Sequence, residues 1–266
     1  MIKSLIRWSA AASIFAATVL GTGGNQFKAL ALPNEQILEI LNPVPVFTIA
    51  NKEGQPITVT RQVPNEEASG ENKEQTLLYV FMSPKDAENY IETVVKEQNA
   101  ELATDAVVVT LPLGYIFEES QKEENQQKGL LFTFIPTQQS QTAAQGILEG
   151  EEQQYEGGVP LFWIKDKESG QPIPSFENED TANPILRLFF EKDRLDNAIK
   201  ESVQDDVDFD ANFKIEVTLL EQIIGALVQK DDEYLQKIRF VISDESQEFI
   251  LQNAANAPAP AGENQQ

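Results

Sequence analysis

Residues 44–57 read VPVFTIANKEGQPI, and residues 159–173 read VPLFWIKDKESGQPI. One strand and one turn are written twice, and the neighbours of the two copies match as well. Val44 to Phe47 correspond to Val159 to Phe162 at a separation of 115, and Gly54 to Ile57 correspond to Gly170 to Ile173 at 116. A separation of 108 then carries Phe81-Met82 onto Phe189-Phe190, Asn89-Tyr90-Ile91 onto Asn197-Ala198-Ile199, Val107 to Leu111 onto Ile215 to Leu219, and Phe132 to Phe134 onto Phe240 to Ile242. The drop falls at an acidic, Gly/Ser-containing stretch, Asn65 to Gln75, which reads as a loop extension of the first copy. The period is far too long for a solenoid unit. The expected fold is therefore α/β with a mixed sheet, internally duplicated as a pseudo-twofold pair of α/β repeats in one compact unit.

Each copy follows one order. A strand runs into a polar turn ending in Gly54 or Gly170, as a tight reversal requires. A second strand leads to a helix. Ser83-Pro84-Lys85-Asp86 supplies a hydroxyl cap, a first-turn proline and an acid, and Ala87, Ile91, Val94 and Val95 form its apolar face. Leu195, Ile199 and Val203 form the matching face. A third strand, alternating Ile215 and Val217 with polar residues, precedes a helix that Thr218-x-x-Glu221 should start. A fourth strand and a last helix close each copy. Residues 32–148 form the first repeat, 149–158 an exposed linker, and 159–252 the second repeat. Residues 253–266, rich in Ala, Pro, Asn and Gln, form a disordered tail. Leu32 to Leu41 should form a short leading helix.

The first 31 residues carry Lys3 and Arg7, an uncharged apolar stretch from Ala10 to Leu20, and Ala29-Leu30-Ala31. This is the pattern of an export signal cleaved before Leu32, too short for a comfortable membrane span. The protein is expected outside the cytoplasm, with no membrane span of its own.

The chain of 266 residues has 43 acidic against 20 basic side chains, a net charge of −23. Such a polyanion repels nucleic acid and anionic lipid surfaces. It has no Cys, which excludes disulfides and thiolate chemistry, and no His, which removes the commonest base and metal ligand. Asp206-x-Asp208-x-Asp210-x-Asn212 opens like a calcium loop, but Ala211 stands where Gly is needed and Val217 where a bidentate Glu belongs. No serine has a positioned base, and acid pairs such as Glu118-Glu119 read as solvated faces. No catalytic residue, cofactor or metal ligand is assigned, and no enzymatic activity is expected.

The aromatics of the strands, Phe47, Phe81, Phe134, Phe162, Phe189 and Phe240, read as core. Trp163 is different, because its counterpart is Thr48. Tyr115, Ile116 and Phe117 are three consecutive bulky residues that cannot all face inward on one helix. With Ile223, Ile224 and Leu227 as the equivalent stripe, these seven residues are the candidates for an apolar groove that holds extended polypeptide. The alternative is a small-molecule or lipid binding module with its pocket between the two repeats.

The pair NPVPVFTIANKEGQPI and GGVPLFWIKDKESGQPI, with VVVTLPLGYIF and LLFTFIPTQQSQTAAQGIL, resembles the Tic twenty-two family, named for a component of chloroplast protein import and with cyanobacterial members. The resemblance spans roughly Leu32 to Asn253. It implies a soluble, pseudo-twofold α/β protein of the periplasm, with the thylakoid lumen as a second compartment. It also implies a chaperone-like role in protein transport and outer-membrane biogenesis. The implied partners are precursor or unfolded outer-membrane proteins and a POTRA-bearing assembly barrel. The family supplies no catalytic residues to carry over.

Overall fold

The twice-written turn closes in both copies, the second one residue longer than the first. Asn51 N–H donates to Gln55 O and Gly54 N–H to Asn51 O, while Asp166 N–H donates to Gln171 O and Gly170 N–H to Asp166 O, all at 2.9 Å. Gly54 and Gly170 have φ of 82° and 70°, a left-handed backbone open to glycine at little cost. Ile57 and Ile173 then return their N–H groups to Ile49 and Ile164.

A computed structural model of the chain describes residues 13–14, 32–64, 72–175, 183–202, 208–230 and 232–256. The rest of the expected export signal, most of the acidic loop, Val203, Asp206 and residues 257–266 of the tail lie outside the described residues. The strands are β1 (Ser13–Ile14), β2 (Pro45–Ala50), β3 (Val59–Pro64), β4 (Asn72–Phe81), β5 (Val107–Pro112), β6 (Leu130–Ile135), β7 (Pro160–Asp166), β8 (Leu186–Phe189), β9 (Phe213–Leu219) and β10 (Ile238–Val241). The first helices are α1 (Asn34–Leu41), α2 (Pro84–Tyr90), α3 (Lys96–Gln98), α4 (Ala100–Asp105), α5 (Leu113–Gln121), α6 (Glu123–Gln127) and α7 (Gln138–Glu149). The remainder are α8 (Lys192–Ser202), α9 (Phe209–Asn212), α10 (Leu220–Gln229), α11 (Glu233–Gln236) and α12 (Asp244–Asn256). A π-helical turn, Ile91–Val95, joins α2 to α3.

The strands make two mixed sheets, of order β1-β6-β4-β2-β5 and β10-β8-β7-β9, with β3 also paired to β4. β4 runs parallel to β6 and β8 to β10, while β2 and β7 are antiparallel to both their neighbours. The second sheet thus repeats the order and pairing sense of the first. The hydrogen-bond register corrects the uniform separation of 108. Phe47 faces Thr110 where Phe162 faces Val217, one residue less. Phe81 faces Ile135 where Phe189 faces Val241, two residues less. A one-residue slip moves every side chain of a strand to the other face, so pairing, not sequence likeness, decides equivalence.

Alternate residues of each strand enter different cores. Val46, Leu78, Val80 and Phe132 from one sheet meet Leu161, Leu188 and Ile238 from the other, with α1, α5 and α10 completing this central cluster. Outside it, Phe47, Ile49 and Phe81 pack under α2, and Phe162 and Phe189 pack under α8 through Leu195.

The outer layers are exchanged. α7 follows the first sheet but buries Ala144 on the second sheet, beside Phe162. α12 follows the second sheet and sets Phe249 edge-on to Phe47 of the first, 5.4 Å between ring centres at 87°. The starts of four helices meet where this crossing occurs. Gln139 Nε2 donates to Asp193 (2.7 Å), and Glu245 Oε1 accepts from Ser83 Oγ (3.0 Å) and Lys85 N–H (3.2 Å). Arg194 bridges to Asp244 at 2.7 Å.

The α2 start is as the sequence indicates: Ser83 Oγ accepts from Asp86 N–H, and Pro84 opens the helix. The α10 start is not. Leu219 caps it without a side-chain bond, because Glu221 is drawn away by the linker, where both its oxygens accept from Val159 N–H. The end of the linker is buried at Gly157 and Gly158. α12 continues to Asn256, beyond the expected start of the tail. Asp208, of the calcium-like run, caps α9 through Ala211 N–H.

Candidate functional site

The seven groove candidates lie on α5, β7 and α10, and all but Tyr115 pack in or against the central core. Tyr115 is 45% exposed, but Ile116, Phe117, Ile224 and Leu227 are buried. Trp163 and Ile223 are half-buried against the same cluster. The space among Leu113, Phe132 and the side chains of Ile116, Phe117 and Ile224 amounts to about 10 Å³. Ile116, Phe117, Trp163, Ile223, Ile224 and Leu227 are therefore packing between the two sheets, while Tyr115 lies on the surface. The facing sheet covers the stripes on α5 and α10, and that cover is not visible in a local pattern. The pocket expected between the repeats meets the same obstacle, since α5 and α10 fill that space.

The open concave surface is on the outer side of the second sheet. One cavity of about 470 Å³ lies under α8, lined by Ile164, Ile173, Phe189, Ile199 and Phe213. A second, of about 780 Å³, runs between α8, β10 and α12, past Phe240, Ile250 and Leu251. Arg187, Phe189 and Ala198 line both, so the two form one trough. Leu251 stands at its rim, 62% exposed.

The first sheet has the same hollow, nearly closed. The cavity bordered by Ile49, Ile57, Phe81 and the π-helical turn measures about 80 Å³. Two rings fill the difference. Tyr79 and Tyr90 meet edge to face at 5.4 Å and 67°, and Tyr90 also lies 5.5 Å from Phe81. Burial and then the neighbouring Tyr79 push the Tyr90 hydroxyl up to about 12. In the second half Arg187 stands in the place of Tyr79 and Ala198 in that of Tyr90. The contrast between Tyr90 and Ala198 was readable in the repeat and is the signal that could have located the trough.

The trough is apolar under α8 and mixed toward α12. There Arg187, Arg194 and Arg239 line it together with Glu201 and Asp244. Arg194 is held by Asp244 and by Ile242 O. Such a surface can take apolar side chains along its floor and carbonyl or carboxylate oxygens at its edge. Among the described residues no helix is long and apolar enough to cross a membrane.

Residues 4–256 match the family profile described as the Tic22-like family. No curated protein matches the chain. Among solved structures, Anabaena Tic22, described as a protein of protein transport, aligns with a TM-score of 0.67 at 24% identity, over 86% of this chain and 99% of that one. Tic22 from Plasmodium falciparum aligns with a TM-score of 0.63 at 20% identity, over 84% of this chain and 99% of that one.

Proposed function

Because the chain belongs to the Tic22-like family, we propose that it is a periplasmic, chaperone-like factor of protein transport that holds unfolded outer-membrane proteins in the trough on its second sheet. The reading is one of binding without catalysis. Clients pass to an outer-membrane assembly barrel bearing POTRA domains, and the leader, read as an export signal, supports this route. Duplication of an α/β unit accounts for the common strand order of the two sheets; one copy then kept its hollow open and the other filled it with tyrosines.

The observation that supports this is the trough itself, open along α8 and floored by Ile164, Phe189 and Phe213. Its extent across two joined cavities suits a polypeptide better than a compact ligand. The test is to copy the closure of the first half. In Ala198→Tyr the new ring occupies the space that Tyr90 fills opposite. Binding of a urea-denatured outer-membrane porin, followed by fluorescence anisotropy after dilution, should weaken at least tenfold, with the unfolding midpoint unchanged. Undiminished affinity in Ala198→Tyr would remove the trough from client binding.

A further inference from the structure

β6 and β10 hold corresponding places in the two sheets, each parallel to an inner strand, with β1 beyond β6. Leu186 N–H donates to Lys237 O and Phe190 N–H to Val241 O. Main-chain groups alternate in direction along a strand, so Phe240, between these residues, turns its N–H and C=O outward. On β6 the corresponding residue is Phe134, because Met82 N–H donates to Ile135 O just as Phe190 does to Val241 O.

On β6 that outward position is taken. β1, from the apolar leader, lies antiparallel to it, with Ser13 opposite Phe134 and Ile14 opposite Thr133. Among the described residues no strand lies on the outer side of β10. Two arginines guard it instead. Arg239 Nη1 donates to Ile238 O at 2.9 Å, and Arg194 Nη1 to Ile242 O at 2.6 Å. These carbonyls lie two residues either side of Phe240. Long basic side chains on an edge strand keep a sheet from pairing with its own copies. The same edge is a wall of the trough: the stretch from Arg239 to Ile242 borders the space that Ile250 and Leu251 border from α12, with the Val241 side chain on the trough side and those of Phe240 and Ile242 packed on the central cluster.

We propose that β10 is a strand-addition site, at which an extended apolar polypeptide segment pairs antiparallel with the outer edge around Phe240, as β1 pairs with β6 around Phe134. This rests on the polypeptide-binding reading above and supplies its mode. Main-chain bonds are indifferent to client sequence, and every second side chain of the added strand enters the apolar trough. The arginines then cover the edge only while no client is present.

The test uses the full-length chain, in which β1 fills β6, and a fluorescent peptide copying residues 10–20, AAASIFAATVL. N-methylation is scanned along the peptide. Strand addition predicts that affinity falls about tenfold at alternate positions and is unchanged between them, since only every second N–H faces β10. The chain has no cysteine, so Arg239→Cys provides a single thiol. Disulfide capture of peptides carrying one Cys should show the same period of two. Uniform tolerance of N-methylation, or capture at every position, overturns strand addition while leaving the trough as a binding surface. Loss of peptide binding with porin binding retained overturns it too. Failure of both ligands to bind overturns the functional reading as well.

Discussion

Glu221 shows how far a single side chain can depart from its local sequence. Thr218-x-x-Glu221 has the spacing of a helix start, yet the carboxylate accepts Val159 N–H at 3.1 and 3.2 Å and ties the linker to α10. Burial pushes its carboxyl above the usual range, against the lowering effect of its main-chain hydrogen bonds. An acid with a raised folded value favours the native state below the ordinary carboxylate range, and that contribution is lost as pH rises through the raised value. Stability to urea should therefore decline over this window in the native chain and decline less in Glu221→Gln. At pH 7 the variant should gain on the order of 1 kcal/mol, since an acceptor for Val159 N–H remains and the buried charge does not. Equal pH slopes for the two proteins would contradict this. Composition indicated that the 43 acids are mostly solvated; it could not single out the one beneath a glycine pair, because burial there is set by a strand about 60 positions away in the chain.

Among the elements, the hairpins and the α2 start were legible because they depend on neighbours within a few residues: Gly54, Gly170 and the Ser83–Asp86 cap. The destination of α12 was not. Its sequence shows a helix, and only the tertiary structure shows Phe249 crossing to Phe47. Phe249→Ala should cost about 2 kcal/mol in denaturant unfolding, less than full burial of a ring would, because Phe249 is only half-buried. An unchanged midpoint would mean that the crossing helix adds nothing to the first half. The register drift has a similar origin. Strand pairing tolerates loops of different length, so β5 and β6 shifted by one and two residues while keeping their partners.

At the scale of the molecule, the central cluster takes Val46, Leu78 and Phe132 from one half and Leu161, Leu188 and Ile238 from the other. Neither half alone covers those side chains. Residues 32–158 and 159–256 made separately should each lack a cooperative thermal transition by circular dichroism, and should recover one when mixed. A sharp transition in either half by itself would show that the shared cluster is dispensable. The repeat in the sequence indicated two α/β units of like element order. It did not disclose that they face each other through α5 and α10, which is why the stripes on those helices looked like a surface.

The crossing of α12 also sets a timetable. The segment that seals Phe47 leaves a ribosome or any narrow channel only after the strands of both sheets, so the N-terminal sheet waits without that cover until α12 has followed. A chain truncated shortly before residue 244 would stay indefinitely in that waiting state, with a greasy flank exposed to whatever meets it first.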